Sequence, residues 1–82
     1  MEEAKIEHLI GLSVISATKH IMLKYNLNHE DAYKKLLNSE TYRILMESNS
    51  GLFLESDTYL NNALDIEFEK NKEALYDYIS NN

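Results

Sequence analysis

The stretch that decides the fold is EAKIEHLIGLSVISATKHIMLKY, residues 3–25. At about 100° of rotation per residue, its apolar side chains recur as they do along one face of an α-helix. We therefore predict a long first helix that packs this face into the core of the chain. The residues of the face are Ile6, Ile10, Val14, Ala17 and Ile21.

The opposite side of this helix is also apolar, and between Leu9 and Leu23 only Lys19 carries a fixed charge. A helix that is apolar nearly all round is usually buried all round. In so small a chain, this helix is either the central element, covered by the short helices, or its second face is covered by a partner. For the second case we predict self-association as a homodimer through Leu12, Ile15, Met22 and Leu23.

Asparagine and serine mark the remaining helix boundaries, since they are favoured as N-caps. Asn28, Ser39 and Ser56 precede segments with helical spacing, and Gly51 is suited to a left-handed position between them. Only Glu67 and Asn71 interrupt the apolar stripe of the last segment. The sequence predicts an all-α fold in a single domain, 1–82: a compact bundle of two long helices, about 3–25 and 57–79, with two short helices, about 29–37 and 40–48, between them.

The composition excludes most other architectures. The 82 residues include no proline, no cysteine and only two glycines, Gly11 and Gly51. Sandwiches and barrels need many tight turns that use glycine or proline, and disulfide scaffolds and thiolate metal sites need cysteine. Gly51 fits a turn, whereas Gly11 lies within the first helix, where the close approach of a neighbour would explain it.

The chain shows no sign of a targeting or membrane segment. Its first residues are acidic where a signal peptide is basic, and the longest uncharged run, residues 9–18, is too short to span a bilayer. We expect a cytoplasmic protein with no membrane contact.

The residue types needed for catalysis are present but scattered. His8 and His20 lie about 120° apart around the first helix and about 18 Å apart along it, and His29 belongs to the next helix. Neither glycine belongs to a phosphate-binding loop. We expect a protein that is not an enzyme and that has no cofactor, metal or catalytic residue.

Four carboxylates, Asp65, Glu69, Glu73 and Asp77, recur at intervals of four residues along the predicted last helix. On one continuous helix they form a column opposite the apolar stripe. This column is either a solvated face or an acidic surface that meets a basic protein partner.

A basic segment suggests an alternative function. Five cations lie in or before the two short helices, and segment 29–48 could imitate a helix-turn-helix. However, Arg43 is the only base between Ser39 and Ser48, and the net charge of −6 opposes nucleic acid. The cations are Lys19, Lys24, Lys34, Lys35 and Arg43.

The middle of the chain, residues 26–67, resembles a family of small acidic bacterial proteins of uncharacterised function. Three stretches carry the resemblance: NLNHEDA (26–32), SETYRIL (39–45) and GLFLES (51–56), the last followed by Tyr59 and Leu60. The family has a helix that leads to a "Leu-x-x-Glu-Asp-Ala" turn, then "Ser-x-x-Tyr/Phe-x-x-Leu" and "Gly-Leu-aromatic-x-Glu-Ser-x-x-Tyr". The resemblance implies an association with toxin–antitoxin-type gene clusters, beside toxins that resemble ADP-ribosyltransferases.

These observations favour a non-enzymatic protein-interaction module, antitoxin-like or regulatory. Its expected partner is another protein, such as a toxin encoded nearby, bound through the acidic helix or the apolar surface of the first helix. The alternative is a DNA-binding transcriptional regulator that uses segment 29–48.

Overall fold

The computed structural model describes residues 2–81 and confirms the all-α fold. These residues form five α-helices and two short 3₁₀ turns, with no strand among them. The helices are α1 (Glu3–Tyr25), α2 (His29–Leu37), α3 (Glu40–Met46), α4 (Asp57–Glu69) and α5 (Lys72–Ser80), and the 3₁₀ turns are Ser48–Ser50 and Leu52–Leu54.

Helix α1 organises the core. Its 23 residues extend over about 34 Å, close to the 36 Å length of the molecule. Towards its N-terminus Ile10 packs with Leu45, Leu52, Phe53 and Leu60. In its second half, α1 contributes to another buried cluster that consists of Ala17, Ile21, Ala32, Leu36 and Leu64.

Three predicted N-caps are confirmed. The side-chain oxygens of Asn28, Ser39 and Ser56 each accept a hydrogen bond from the backbone N–H three residues later, at 2.8–3.1 Å. Each bond satisfies a donor that the helix itself leaves unpaired. The starts of α2, α3 and α4 therefore follow from local sequence alone.

The predicted single helix over 57–79 is wrong, because the chain leaves the helix after Glu69. Lys70 (φ −123°, ψ −97°) and Asn71 (φ −166°, ψ 178°) are not helical, and the side chain of Asn71 caps α5 by accepting from the N–H of Ala74 at 2.8 Å. Helix α5 folds back on α4, so that the rings of Tyr59 and Tyr78 lie 4.9 Å apart. The bundle has one long helix rather than two.

The segment between α3 and α4 is longer than predicted. Helix α3 ends at Met46 rather than at residue 48, and Gly51 has the left-handed conformation (φ 69°) that favours glycine. Leu52 and Phe53 enter the core, whereas Leu54 remains 61% exposed.

Candidate functional site

The outward face of α1 consists of Leu12, Ile15 and Leu23, with Lys5, His8 and Lys19 beside them. Leu12 is 50% exposed, Ile15 68% and Leu23 77%. The short helices therefore do not cover these three residues of the predicted self-association set. Single exposed leucines are common on protein surfaces, but three on one helix face form an apolar patch.

Met22, the fourth residue of that set, is partly buried against the second core cluster. It also lines a groove of about 220 Å³ between α1 and α2. Tyr33 and His29 form the α2 wall of this groove, and their rings stack with centroids 6.1 Å apart. The groove adjoins Ile15 and continues the apolar surface from α1 onto α2.

Gly11 lies beside this face, and the close neighbour expected there is not found among residues 2–81. A Cβ atom added at Gly11 would meet nothing within 4 Å. The predicted approach therefore does not come from the described part of the chain. The space next to Leu12 and Ile15 is open to the outside.

The four carboxylates of the predicted column fall into two pairs, because α4 and α5 are separate helices. Asp65, on α4, faces α1: its carboxylate lies 2.8 Å from His20 Nε2 and 2.8 Å from Lys24 Nζ. The Tyr25 hydroxyl lies 2.9 Å from the same carboxylate. The side chain of Asp65 is only 15% exposed, so that it joins α4 to α1 instead of facing solvent.

Glu69 extends the same cluster by one helical turn. Its carboxylate lies 2.8 Å from the Tyr25 hydroxyl and 3.1 Å from Lys24 Nζ. This position is half exposed, and it forms the edge of a cleft of about 330 Å³ that Lys24 and Asp65 also line. Lys24 and Tyr25 each contact both carboxylates of this cluster, so that Asp65 and Glu69 are paired within the chain.

Hydrogen bonds and burial shift the pKa values in this cluster. Burial on its own would raise the pKa of Asp65, but hydrogen bonds from Lys24, His20 and Tyr25 outweigh it and the pKa lies below its ordinary value. Hydrogen bonds from Tyr25 and Lys24 lower the pKa of Glu69. Burial, with hydrogen bonds to Glu69 and Asp65, raises the pKa of Tyr25, so that its phenol stays protonated.

Glu73 and Asp77 stand apart from this cluster, on the solvent side of α5. Both are exposed, and neither side-chain carboxylate makes a hydrogen bond or ion pair to a residue in 2–81. Of the four carboxylates, these two are the ones that remain available on the surface.

The basic segment predicted as a helix-turn-helix uses most of its cations inside the chain. Arg43 contacts Glu40 at 2.6 Å and Glu47 at 2.5 Å, and Lys34 pairs with Glu30 at 3.1 Å. The ammonium group of Lys35 lies 4.3 Å from the centre of the Phe68 ring, and Lys24 is bound to Asp65. Lys19, on the outward face of α1, is the cation of this set that makes no ion pair or ring contact with a residue in 2–81.

Sequence reasoning missed two carboxylates that position α3. Glu67 accepts hydrogen bonds from the backbone N–H groups of Glu40 and Thr41, at 2.7 and 2.9 Å, so that a residue of α4 caps α3 from outside. Glu40 is itself buried; its contacts with Arg43 and with the Tyr76 hydroxyl lower its pKa to about 2. The sequence contained one sign of the Glu67 contact, because Glu67 interrupts an apolar stripe and a polar residue that is buried there needs a hydrogen-bond partner.

The described residues offer no metal or membrane-spanning element. Within 2–81, no three or more His, Cys, Asp or Glu side chains lie where they could hold a metal ion together. In the same range, no helix combines the length and apolar character needed to cross a bilayer.

Comparisons with protein-family models, curated proteins and solved structures give no match to this chain.

Proposed function

We propose that this chain is a non-enzymatic protein-interaction module of the cytoplasm whose contact surface is the outward face of α1. The observation that carries the proposal is the exposure of Leu12, Ile15 and Leu23, each at least half accessible, on one side of the longest helix. A buried aliphatic side chain contributes about 1.5–3 kcal/mol relative to an exposed one. A protein that covers this face would gain much of that free energy from three residues at once.

The rigidity of α1 also supports this surface. The inward face of the helix is held by two buried clusters, and Asp65 ties its C-terminal part to α4. A partner would therefore meet a preformed helix face and would not need to order it on binding.

The acidic surface is the second place for a partner, and it is smaller than the sequence predicted. Asp65 and Glu69 are engaged with α1, which leaves Glu73 and Asp77 on α5. Two exposed carboxylates influence the association rate and its salt dependence more than they influence affinity.

The family resemblance suggests that this interaction has an antitoxin-like or regulatory role. The partner would then be a protein encoded beside this chain. The test is to purify the product of the adjacent gene, mix it with this chain and measure complex formation by light scattering after size exclusion.

Three variants locate the contact in that experiment. Ile15→Glu places a charge in the middle of the apolar face, the double variant Glu73→Gln with Asp77→Gln removes the acidic pair, and Leu54→Glu changes an exposed leucine elsewhere. We expect Ile15→Glu to abolish the complex and Leu54→Glu to leave it intact. A complex that survives Ile15→Glu and dissociates in the acidic double variant would move the contact to α5, and the absence of any complex would contradict the partner assignment.

A further inference from the structure

The outward face of α1 has the spacing of a coiled-coil seam. Its residues recur at alternating intervals of three and four, which keeps a seam facing a partner helix. Leu12, Ile15 and Lys19 of this seam are exposed, and its last residue, Met22, lines the groove beside α2. In chain order the seam is Lys5, His8, Leu12, Ile15, Lys19 and Met22.

We propose that this seam binds a second copy of the chain, with the two α1 helices antiparallel and Leu12 of each copy packed against Ile15 of the other. The inference rests on the proposed function for the choice of surface, and it assigns the outward face of α1 to a second copy of the chain instead of to a protein encoded nearby. In this register His8 lies opposite Lys19, and Lys5 lies opposite Met22. The contact is isologous, so that the two-fold axis closes the assembly at a dimer.

The ends of the seam are complementary in shape. Leu23, the most exposed large apolar residue between positions 2 and 81, extends towards the N-terminal half of the other copy's α1. This half of α1 has a surface pocket with a volume of about 320 Å³, lined by Ala4, Lys5, His8 and Leu9. Each copy therefore presents both the projecting leucine and the surface that receives it.

The flank next to α2 is complementary as well. In the antiparallel pair, the groove that Ile15, Met22 and Tyr33 line faces the N-terminal half of the other copy's α1. The residues that this half presents on the same flank are Ala4 and Gly11, and an added Cβ at Gly11 would meet open space. Small residues at these positions leave room for the Tyr33 ring of the second copy.

A second copy on this face meets no carboxylate, and the fixed charges that the face itself presents are those of Lys5 and Lys19, on either side of Leu12 and Ile15. The chain has a net charge of −6, so that two copies repel each other when acidic surfaces meet. From His8 to Tyr25, however, α1 contains no aspartate or glutamate. The proposed contact brings together two carboxylate-free faces and leaves Glu73 and Asp77, which lie on α5, outside it.

The first part of the test is the solution mass of the full chain, measured by sedimentation equilibrium over a range of concentrations. We expect about twice the 9.6 kDa mass of one chain. Ile15→Glu should restore the monomer, and the matched control Leu54→Glu should remain a dimer; circular dichroism verifies that both variants are folded. Ile15 is 68% exposed and Leu54 61%, so that neither change disturbs the core.

The second part determines the orientation by cross-linking, which has no background because the chain contains no cysteine. Lys5→Cys and Leu23→Cys are prepared separately and treated with a short bismaleimide, alone and as an equimolar mixture. Antiparallel helices place position 5 of one copy beside position 23 of the other, so that the mixture should give cross-linked dimer and each variant alone should give much less.

Each other result overturns the inference. A monomer at high micromolar concentration excludes the second copy but leaves the proposed function to its own test with the adjacent gene product. A dimer that resists Ile15→Glu uses another surface. Efficient cross-linking within each variant alone indicates parallel helices.

Discussion

The two faces of α1 both contain large aliphatic residues, but their surroundings are opposite. On the inward face, Ile21 is fully buried, and the buried Ser13 and Thr18 hydroxyls donate to the carbonyls of Leu9 and Val14 at 3.1 and 2.8 Å. On the outward face, Ile15 is 68% exposed, although it is as apolar as Ile21. Hydrophobicity therefore does not determine which side is buried; the positions of α2, α3 and α4 do.

This difference separates two roles that one helix can have. The inward face contributes to the stability of the single chain, and the outward face contributes only when another chain covers it. Substitutions on the two faces should therefore affect different measurements.

The largest effect is expected for Ile21→Ala. Removing a buried aliphatic side chain leaves a cavity and lowers the free energy of unfolding by about 2–5 kcal/mol. Leu23→Ala, two residues further on and 77% exposed, should change it by no more than about 0.5 kcal/mol. Chemical denaturation at low protein concentration measures both, and a comparable loss in the two variants would show that the faces are not distinct.

The next effect is expected for Asp65→Asn, which weakens the contacts between α4 and the C-terminal part of α1. Because the Asp65 carboxylate lies within hydrogen-bonding distance of His20, Lys24 and Tyr25, its loss should lower the free energy of unfolding by about 1–3 kcal/mol. Asp77→Asn, a change of the same type at an exposed position, is the control and should have little effect. Equal stability of the two variants would indicate that Asp65 is no better paired than Asp77.

Acid should lower the free energy of unfolding by protonating carboxylates that are paired within the chain. The outward face of α1 contains no such carboxylate. The pKa of Glu40 is about 2 in the folded chain against an ordinary value of 4.5, so that its stabilisation is fully present above about pH 4.5 and is lost as the pH falls towards 2. In Glu40→Gln the free energy of unfolding should consequently depend less on pH over this range. An identical pH profile in the variant would contradict the role assigned to Glu40.

The smallest effect is expected for Gly11→Ala. Alanine is more favourable than glycine inside a helix by about 0.5–1 kcal/mol, and the added Cβ meets nothing in the single chain. The free energy of unfolding should therefore rise by about that amount when measured at a concentration where the chain is monomeric. A decrease would mean that residue 11 is constrained within the chain itself.

The helix starts could be predicted from sequence because each depends on one or two neighbouring residues. Asn28, Ser39 and Ser56 act as caps through bonds to N–H groups three positions away. Asn71 belongs to the same class, and the sequence already uses asparagine at other boundaries. It was not recognised because the residues around it continue the apolar spacing of a single helix.

The contacts that define the surface could not be predicted in the same way. Asp65 meets α1 only because α4 packs beside it, and Glu67 caps α3 only because the chain places the two helices together. Both contacts join residues far apart in sequence. Periodicity shows which residues share a helix face, and the packing of several helices decides which face remains exposed.

The most direct test of the central claim is the concentration dependence of the amide NMR spectrum. If the outward face of α1 binds a second copy, raising the concentration from low micromolar to near millimolar should shift or broaden the signals of Leu12, Ile15 and Leu23, with smaller changes at Tyr33 on α2. The signals of Glu73 and Asp77 on α5 should not change. Spectra without concentration dependence, or changes confined to α5, would contradict the claim.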